Sequence, residues 1–340
     1  MGSAGGRLPR GLVDPGHVRS GVPGIALETE ELFVSVFPEA GGKVLDLVHK
    51  PTGFNLLWQN PRVGLQRTYA GAAFDDVWCG GWDELFPTDA PCTFDGNSFH
   101  DHGDLWIGPW EWSIEHDDGE SATLFLRRFS PSLPCLMEKW ITVARGRREI
   151  AFRHRLSNVG AQPVSFVWSL HVAHAIGPGS RVHLPASRLG VEPPYQGRAQ
   201  PGERELSWPA HEGGGARWDL SRVPGPGSGL TEWFHTRDLS EGWCAVTHPA
   251  AGLGLAIAFD RDLFSTVWLF GVYGGWRGHY VLLTEPSTSP PGSLASNAAA
   301  GTAATLAAGA ALETDVVATV FAAADPPVPG NASPVAAAPR

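Results

Sequence analysis

Glu285 is the strongest candidate for a general base in the chain. It follows the apolar strand pattern Tyr280-Val-Leu-Leu-Thr and precedes Pro286. A carboxylate at the end of a hydrophobic strand is expected to be partly desolvated, and desolvation raises its pKa towards a useful value for a base. Because proline donates no ladder hydrogen bond, the strand should end at Pro286. The alternative is a strand-end acid that points to water.

The segment Trp168-Ser-Leu-His171-Val-Ala-His174 offers a proton-transfer partner for that base. Its pattern predicts a strand that carries two histidines just before the turn Gly177-Pro-Gly179. Positions three apart on a strand face opposite sides, so without a bulge at most one histidine shares the face of a site. A histidine whose nitrogens are satisfied by the backbone is the alternative for either.

A second histidine segment, His100-Asp-His102-Gly, supports two interpretations. His102 can transfer protons in a pocket with aromatic walls, because tryptophans follow it closely. Alternatively, His-x-His on a strand points both imidazoles the same way and can bind a metal. Glu111 is spaced poorly for a further ligand, which leaves His183 or His279 as distant candidates.

The segment from Gly80 to Pro87, GGWDELFP, combines flexible backbone with polar and aromatic side chains. Its glycines allow the backbone to approach a ligand closely. Asp83 and Glu84 could bind hydroxyl groups, and Trp82 could stack on an apolar ring face, as Trp106 could. The alternative is a well-packed aromatic turn with solvated acids.

Strand patterns dominate the rest of the chain, and long helical periodicity is missing. Many short strands with Gly and Pro punctuation and no βαβ rhythm predict an all-β fold, an antiparallel sandwich or barrel, and the length favours a large sandwich. The predicted strands cover 31–37, 44–48, 122–128, 136–144, 149–156, 164–172, 242–247, 254–259, 266–270, 280–284 and 314–321.

The domain organisation follows from composition. Residues 1–22, rich in Gly, Pro and Arg, are expected to form a flexible arm, and residues 324–340 a disordered Pro/Ala-rich tail. A single domain, residues 23–323, lies between them. Within it, residues 187–230 are rich in Gly, Pro and Arg and are predicted to be long connections over one face of the sandwich.

Charge and cysteine content narrow the class of protein. A formal net charge of −10 argues against nucleic-acid and anionic-membrane partners. None of the four cysteines shows Cys-x-x-Cys spacing, so free thiols in a reducing compartment are the default. No signal peptide or long apolar run is visible, and we expect a cytoplasmic protein.

The order of several segments resembles the galactose mutarotase-like superfamily, and more closely bacterial aldose 1-epimerase-like proteins. The resemblance covers about residues 28–321. Its segments, in chain order, are GGK at 41–43, GGWDELFP, HDHGDLW, WSLH with the following GPG, and LLTEPST.

This resemblance implies a large antiparallel β-supersandwich with a sugar site on a concave sheet face. The resemblance implies that Glu285 is the base, that His171 is the acid, and that His102 binds the ring oxygen and hydroxyl groups of the sugar. An early arginine commonly contacts the sugar, and Arg62 and Arg67 are both candidates. We expect no cofactor or metal, and a small-molecule sugar as partner. The remaining substrate-binding candidates are Trp82, Asp83, Trp106 and His174, with Trp268 and Trp276 as further stacking surfaces.

One departure affects the substrate more than the scaffold. Galactose mutarotases carry a Tyr-Phe pair soon after the acid histidine, whereas this chain has Val172-Ala-His174-Ala. The implied reaction is acid/base opening and closure of an aldose ring, which interconverts its α and β anomers.

Other functional classes remain open at the level of sequence. A non-catalytic carbohydrate-binding protein needs the aromatic residues but no paired acid and base. A metal-dependent sugar isomerase would use His100 and His102. A hydrolase or lyase usually needs a second carboxylate near Glu285, for which Asp83, Glu84 and Asp104 are candidates.

Overall fold

The computed structural model describes residues 11–324, apart from the side chain of Pro194, and its architecture is a sandwich of β-sheets. The first fourteen strands are β1 Val13–Asp14, β2 Val18–Arg19, β3 Val22–Pro23, β4 Ile25–Glu28, β5 Leu32–Phe37, β6 Lys43–His49, β7 Phe54–Asn55, β8 Trp82–Leu85, β9 Cys92–Phe94, β10 Asn97–Phe99, β11 Glu111–Asp117, β12 Ser121–Phe129, β13 Cys135–Ala144 and β14 Glu149–Asn158.

The remaining strands are β15 Val164–Phe166, β16 Ser169–His174, β17 Arg181–His183, β18 Arg188–Gln196, β19 Glu205–Ser207, β20 Ala210–Gly213, β21 Ala216–Asp219, β22 Leu230–Thr236, β23 Trp243–His248, β24 Leu253–Phe259, β25 Thr266–Tyr273, β26 Tyr280–Ser287, β27 Ala304–Leu306 and β28 Ala311–Ala322. Two short α-helices, α1 Phe74–Val77 and α2 Leu294–Ala300, accompany them in the described part of the chain.

Two large sheets form the sandwich. The larger has twelve strands in the order β1-β4-β5-β6-β8-β16-β26-β25-β22-β18-β19, with β7 paired to β6. The smaller has eight strands in the order β11-β12-β13-β14-β28-β24-β23-β17. Neighbouring strands in the middle of the larger sheet are antiparallel. The prediction of a large antiparallel β-sandwich is therefore confirmed.

Period-two alternation divides the larger sheet into two faces. One face packs on the smaller sheet, and we call it the core face. There the Trp82 ring packs against Phe152 of β14, with centroids 4.6 Å apart. Asp83, the next residue on β8, must point the other way. We call that opposite side the site face.

A buried ionic cluster joins the two sheets at the centre of the core. The Glu84 carboxylate accepts hydrogen bonds from His154 Nε2 at 3.0 Å and Trp168 Nε1 at 2.9 Å, and Lys139 Nζ lies 3.4 Å away. Burial alone would raise the pKa of Glu84, but the charges of His154 and Lys139 and the donated hydrogen bonds outweigh it and lower that pKa to about 2. Glu84 is therefore part of the core and not a ligand-binding acid.

Three regions differ from the expectations. Residues 13–14 pair with β4, so the part of the predicted arm after residue 10 belongs to the fold. The predicted strand 164–172 is divided into β15 and β16. Residues 187–230, predicted as long connections, contain strands β18 to β21, because ladder pairing there outweighs the Gly/Pro-rich composition. Residues 1–10 and the tail after residue 324 lie outside the described residues.

We predict that Glu84→Gln lowers the free energy of unfolding at pH 7 by roughly 3 kcal/mol, because Lys139 and His154 would lose their buried counter-charge. Urea unfolding measures this. The folded pKa of Glu84 lies below its ordinary value of 4.5, so the stabilisation is complete above pH 4.5 and disappears as the pH falls towards 2. The control Glu313→Gln, a surface carboxylate beside Arg155, should change stability by less than about 0.5 kcal/mol; equal losses in both variants would contradict this account.

Candidate active site

The sheet register places three polar residues in one row on the site face. Asp83 of β8 is directly opposite His171 of β16. The pairs Ser169–Ser287 and Val172–Thr284 set the register between β16 and β26, and this register puts His171 opposite Glu285. Directly opposite side chains have Cβ atoms about 5 Å apart. The row therefore brings an acid, an imidazole and a second acid together from distant parts of the sequence.

Glu285 is buried rather than pointing to water. Only 4% of its surface is exposed. β26 also continues through Pro286 to Ser287, which corrects the prediction that the strand ends at the proline. The missing proline N–H coincides with an interruption in the β16 ladder, while pairing with β25 continues through the Val267–Pro286 pair.

Burial dominates the chemistry of Glu285. It raises the pKa of the carboxyl group to about 8, with a further contribution from the negative charge of Asp89. His102 opposes this effect but does not cancel it. A carboxyl group of this kind is a far stronger base than one in water, and it can exchange protons near neutral pH.

His102 enters the site from a loop rather than from the sheet. Its backbone N–H donates to Asp89 O at 2.7 Å, and its φ of +58° lies in the left-handed region. The next residue must be glycine, because a Cβ on Gly103 would lie 1.9 Å from Phe86 O. This tight turn brings the His102 ring within 5.2 Å of the His171 ring, centroid to centroid.

The two histidines have opposite electrostatic environments. Burial alone would lower the pKa of His102, but the adjacent Asp101 carboxylate, with Asp89 and Glu285, outweighs burial and raises it. The pKa of His171 lies well below its ordinary value because of burial and the nearby positive charges of His102 and Lys43. The cationic form is therefore favoured at His102 and disfavoured at His171.

Several buried polar atoms around this row have no hydrogen-bond partner among the described residues. They are Asp83 Oδ1, Asp89 Oδ2 and His171 Nδ1. The other Asp83 oxygen is engaged by the Lys43 ammonium and, at 3.2 Å, by Trp78 Nε1. Unsatisfied buried polar atoms are costly, and these three are free to bind a polar ligand.

Aromatic rings form a wall beside the histidines. Phe74, from α1, stacks on His102 with centroids 3.7 Å apart and meets His171 edge-on at 5.5 Å. Trp78 approaches His171 at 5.3 Å, and Trp106 meets Phe74 at 4.9 Å. Of the tryptophans expected at the site, Trp106 therefore lies beside it.

Other candidates lie elsewhere. Trp82 packs in the core, and His174 also faces the core, where its Nε2 is 2.7 Å from Thr284 Oγ1. Both corrections have one cause. Trp82 is one position from Asp83 and His174 is three positions from His171, and an odd spacing along a strand places side chains on opposite faces. Arg67 binds Glu39 with a side chain 58% exposed, and Arg62 donates to His279 Nδ1 at 2.9 Å. These contacts do not place either arginine beside Glu285.

The side chains of the remaining candidates make other contacts or lie outside the row. Trp268 is opposite Glu285, but it is buried and donates its Nε1–H to Ser289 O. Asp104 accepts hydrogen bonds from Ser130 and Ser132. His100 precedes a turn that contains His102, so the two do not share a strand. No group of three His, Cys, Asp or Glu side chains suited to a metal occurs within residues 11–324.

Sequence reasoning missed Lys43, Phe74, Trp78 and Asp89 as site residues. Lys43 belonged to a segment used for the resemblance, but nothing in its spacing indicated the ion pair with Asp83. The other three lie in α1 or in irregular segments, where no periodicity indicates the direction of a side chain.

Several solved structures share this fold at low sequence identity. A protein proposed to be an aldose 1-epimerase, from Klebsiella pneumoniae, is similar with a TM-score of 0.70 and 15% identity, over 92% of this chain and 83% of that one. A galactose mutarotase-like protein from Lactobacillus casei is similar with a TM-score of 0.57 and 14% identity, over 88% and 100% of the two chains. This chain has the galactose mutarotase-like fold.

The same fold recurs in the Slr1438 protein of Synechocystis, with a TM-score of 0.63 and 17% identity, over 88% of this chain and 96% of that one. No family model and no curated protein sequence matches the chain. Among the described residues, no helix is both long enough and apolar enough to cross a membrane. The structural similarity thus establishes the galactose mutarotase-like fold. The sequence identities are too low to assign an activity to this chain.

We predict that Glu285→Gln stabilises the protein at alkaline pH. The folded pKa of about 8 exceeds the ordinary 4.5, so folded Glu285 keeps a proton that the unfolded chain releases between these values. Wild-type stability therefore falls as the pH rises from 4.5 to 8, whereas glutamine has no proton to lose. The advantage of the variant at pH 8.5 should be a few kcal/mol, since each tenfold change in protonation corresponds to about 1.4 kcal/mol.

Urea unfolding at pH 5 and pH 8.5 measures this difference. Glu111→Gln, which changes an exposed carboxylate beside Arg127, is the matched control and should show no comparable pH-dependent gain. A Glu285→Gln variant that is no more stable than wild type at pH 8.5 would show that the carboxyl group ionises without penalty.

Proposed function

We propose that this protein is an aldose 1-epimerase-like enzyme that interconverts the α and β anomers of an aldose. The observation that carries the proposal is the pairing of Glu285, whose pKa is raised to about 8, with His102, whose pKa is also raised. Ring opening of a hemiacetal requires removal of a proton from the anomeric hydroxyl and delivery of a proton to the ring oxygen. A base and an acid that both exchange protons near neutral pH meet this requirement.

In the proposed reaction the Glu285 carboxylate takes the proton of the anomeric hydroxyl, and the His102 imidazolium donates a proton to the ring oxygen. The C1–O5 bond breaks and an open-chain aldehyde forms. Rotation about the C1–C2 bond presents the other aldehyde face, and ring closure reverses both proton transfers. No metal or organic cofactor takes part in these steps.

His171 has a different role from the one that family resemblance implies. Its depressed pKa favours the neutral imidazole, which suits a hydrogen-bonding group better than a proton donor. In our proposal His171 and Asp83 bind sugar hydroxyls through their unpartnered Nδ1 and Oδ1 atoms. Phe74, Trp78 and Trp106 would provide the apolar wall for the ring.

A second candidate function rests on Asp89. Burial raises the pKa of Asp89 to about 6, and its charge acts on Glu285, so two carboxyl groups with separated pKa values lie in one site. Such a pair is typical of glycoside hydrolases. Release of the aryl group from nitrophenyl glycosides, without acceleration of mutarotation, would favour hydrolysis over epimerisation.

We predict that Glu285→Gln and His102→Asn each lower the rate of anomer interconversion by a factor of roughly 10² to 10⁴, because each removes one proton-transfer group. Polarimetry or exchange NMR on a panel of freshly dissolved aldoses measures the rate. Glu111→Gln, remote on the smaller sheet, is the control and should retain wild-type rates. Full activity of Glu285→Gln would remove the assignment of the base.

We also predict that Asp89→Asn shifts the pH profile of kcat/KM to lower pH. The negative charge of Asp89 raises the pKa of both Glu285 and His102, so its removal lowers both. The profile should be bell-shaped. Its two apparent pKa values describe the coupled Glu285–His102 pair and not either residue alone. A profile in Asp89→Asn that keeps the wild-type position would contradict the electrostatic coupling.

A further inference from the structure

A second group of aromatic residues lies on the site face beyond the catalytic row. Trp233 of β22 is directly opposite Phe270 of β25. These residues are two positions from His235 and Trp268, and Trp268 is opposite Glu285. Since side chains two apart share a face, Trp233 and Phe270 belong to the same face as Glu285.

Two further rings complete this group, which we call the aromatic platform. Tyr195 lies 5.4 Å from Phe270 and 6.4 Å from Trp233, and Trp276 lies 6.0 Å from Phe270, between ring centroids. All four rings are partly exposed, in contrast to the fully buried Trp168 and Trp268. The platform therefore offers ring surface to solvent on the face that carries the candidate active site.

A continuous series of ring contacts connects the platform to the catalytic histidines. Trp276 lies 5.4 Å from His279, His279 lies 5.2 Å from Trp58, and Trp58 lies 5.2 Å from Trp78. Trp78 in turn lies 5.3 Å from His171. The platform and the catalytic row are thus connected by packed rings on the site face, of which His279, Trp78 and His171 are buried.

The distance from Glu285 to the platform exceeds the width of one sugar ring. From Glu285 to Trp233 the backbone moves across two strand spacings of about 4.8 Å and along two residues of about 3.3 Å, a separation of roughly 12 Å. A single pyranose held at Glu285 leaves the platform empty, whereas a chain of two or three sugars reaches it.

The two arginines beside the platform are engaged by other protein groups. Arg277 donates to the Asp76 carboxylate at 2.7 Å, and its guanidinium lies 5.1 Å from the Trp276 ring. Arg62 is held by His279. Since Arg277 is paired with a carboxylate and Arg62 already donates to His279 and to the Arg277 carbonyl, these contacts favour a neutral glycan over a phosphorylated or carboxylated one.

We propose that the substrate is a neutral oligosaccharide of two or more sugars. Its reducing-end residue lies against Glu285 and His102, and the following residues stack on the aromatic platform. This proposal rests on the proposed function, because it assigns the reducing end to the proton-transfer pair. It specifies the class of substrate that the pair acts on.

The number of sugar residues in the substrate is the variable that tests this proposal. The probes are glucose, maltose and maltotriose, cellobiose and cellotriose, and galactose and lactose, each followed by exchange NMR for anomer interconversion. In at least one series, kcat/KM should rise tenfold or more from the monosaccharide to the longer sugar. Trp276→Ala should remove most of that gain while kcat/KM for the monosaccharide falls less than threefold, and Trp276→Phe should restore it.

The control is Trp112→Ala, which removes an exposed tryptophan from β11 of the smaller sheet and should keep the gain. Calorimetric binding of the same sugars to Glu285→Gln separates this proposal from the proposed function. Tighter binding of the longer sugar, lost on adding Trp276→Ala, supports the platform even if no anomer interconversion occurs. Equal affinities and equal kcat/KM values for short and long sugars in every series would overturn it.

Discussion

The central constraint in this molecule is the burial of one carboxyl group on a sheet face. Glu285 is almost inaccessible to water, has a carboxylate neighbour in Asp89, and so has a pKa raised to about 8. Keeping a carboxyl group there costs folding free energy whenever it ionises. The fold tolerates this cost because the antiparallel ladders on either side fix the position of Glu285 and the core beneath it is well packed.

The side chains of the site are held in place in two ways. Asp83, His171 and Glu285 are held by sheet register, so their relative placement follows from hydrogen bonds between strands and tolerates little variation. His102 is held by a left-handed turn whose glycine packs on the backbone of Phe86. Beneath them, the Glu84 cluster ties β8 to the smaller sheet and so holds the strand that carries Asp83.

The sequence predicted those parts of the fold that depend on alternation. Most of the strands around Glu285 and His171 followed from period-two patterns, whereas the expectation that these two residues meet came from the resemblance to the galactose mutarotase-like superfamily. Alternation also explains the errors. It required one of His171 and His174 to face away from the site. On β8, alternation alone does not specify which side the core lies on, and Trp82 was therefore assigned to the wrong face. Phe74 and Asp89 escaped prediction because α1 is only one turn long and Asp89 lies in an irregular segment.

The most direct test of this account is an NMR titration of the Glu285 side-chain carboxyl in protein labelled with ¹³C at glutamate Cδ. The Glu285→Gln variant assigns the resonance. The account predicts an apparent pKa near 8 in the free protein, a fall in Asp89→Asn, and a perturbation of the resonance when an aldose binds. A resonance that titrates near the ordinary 4.5 and does not respond to any aldose would contradict it.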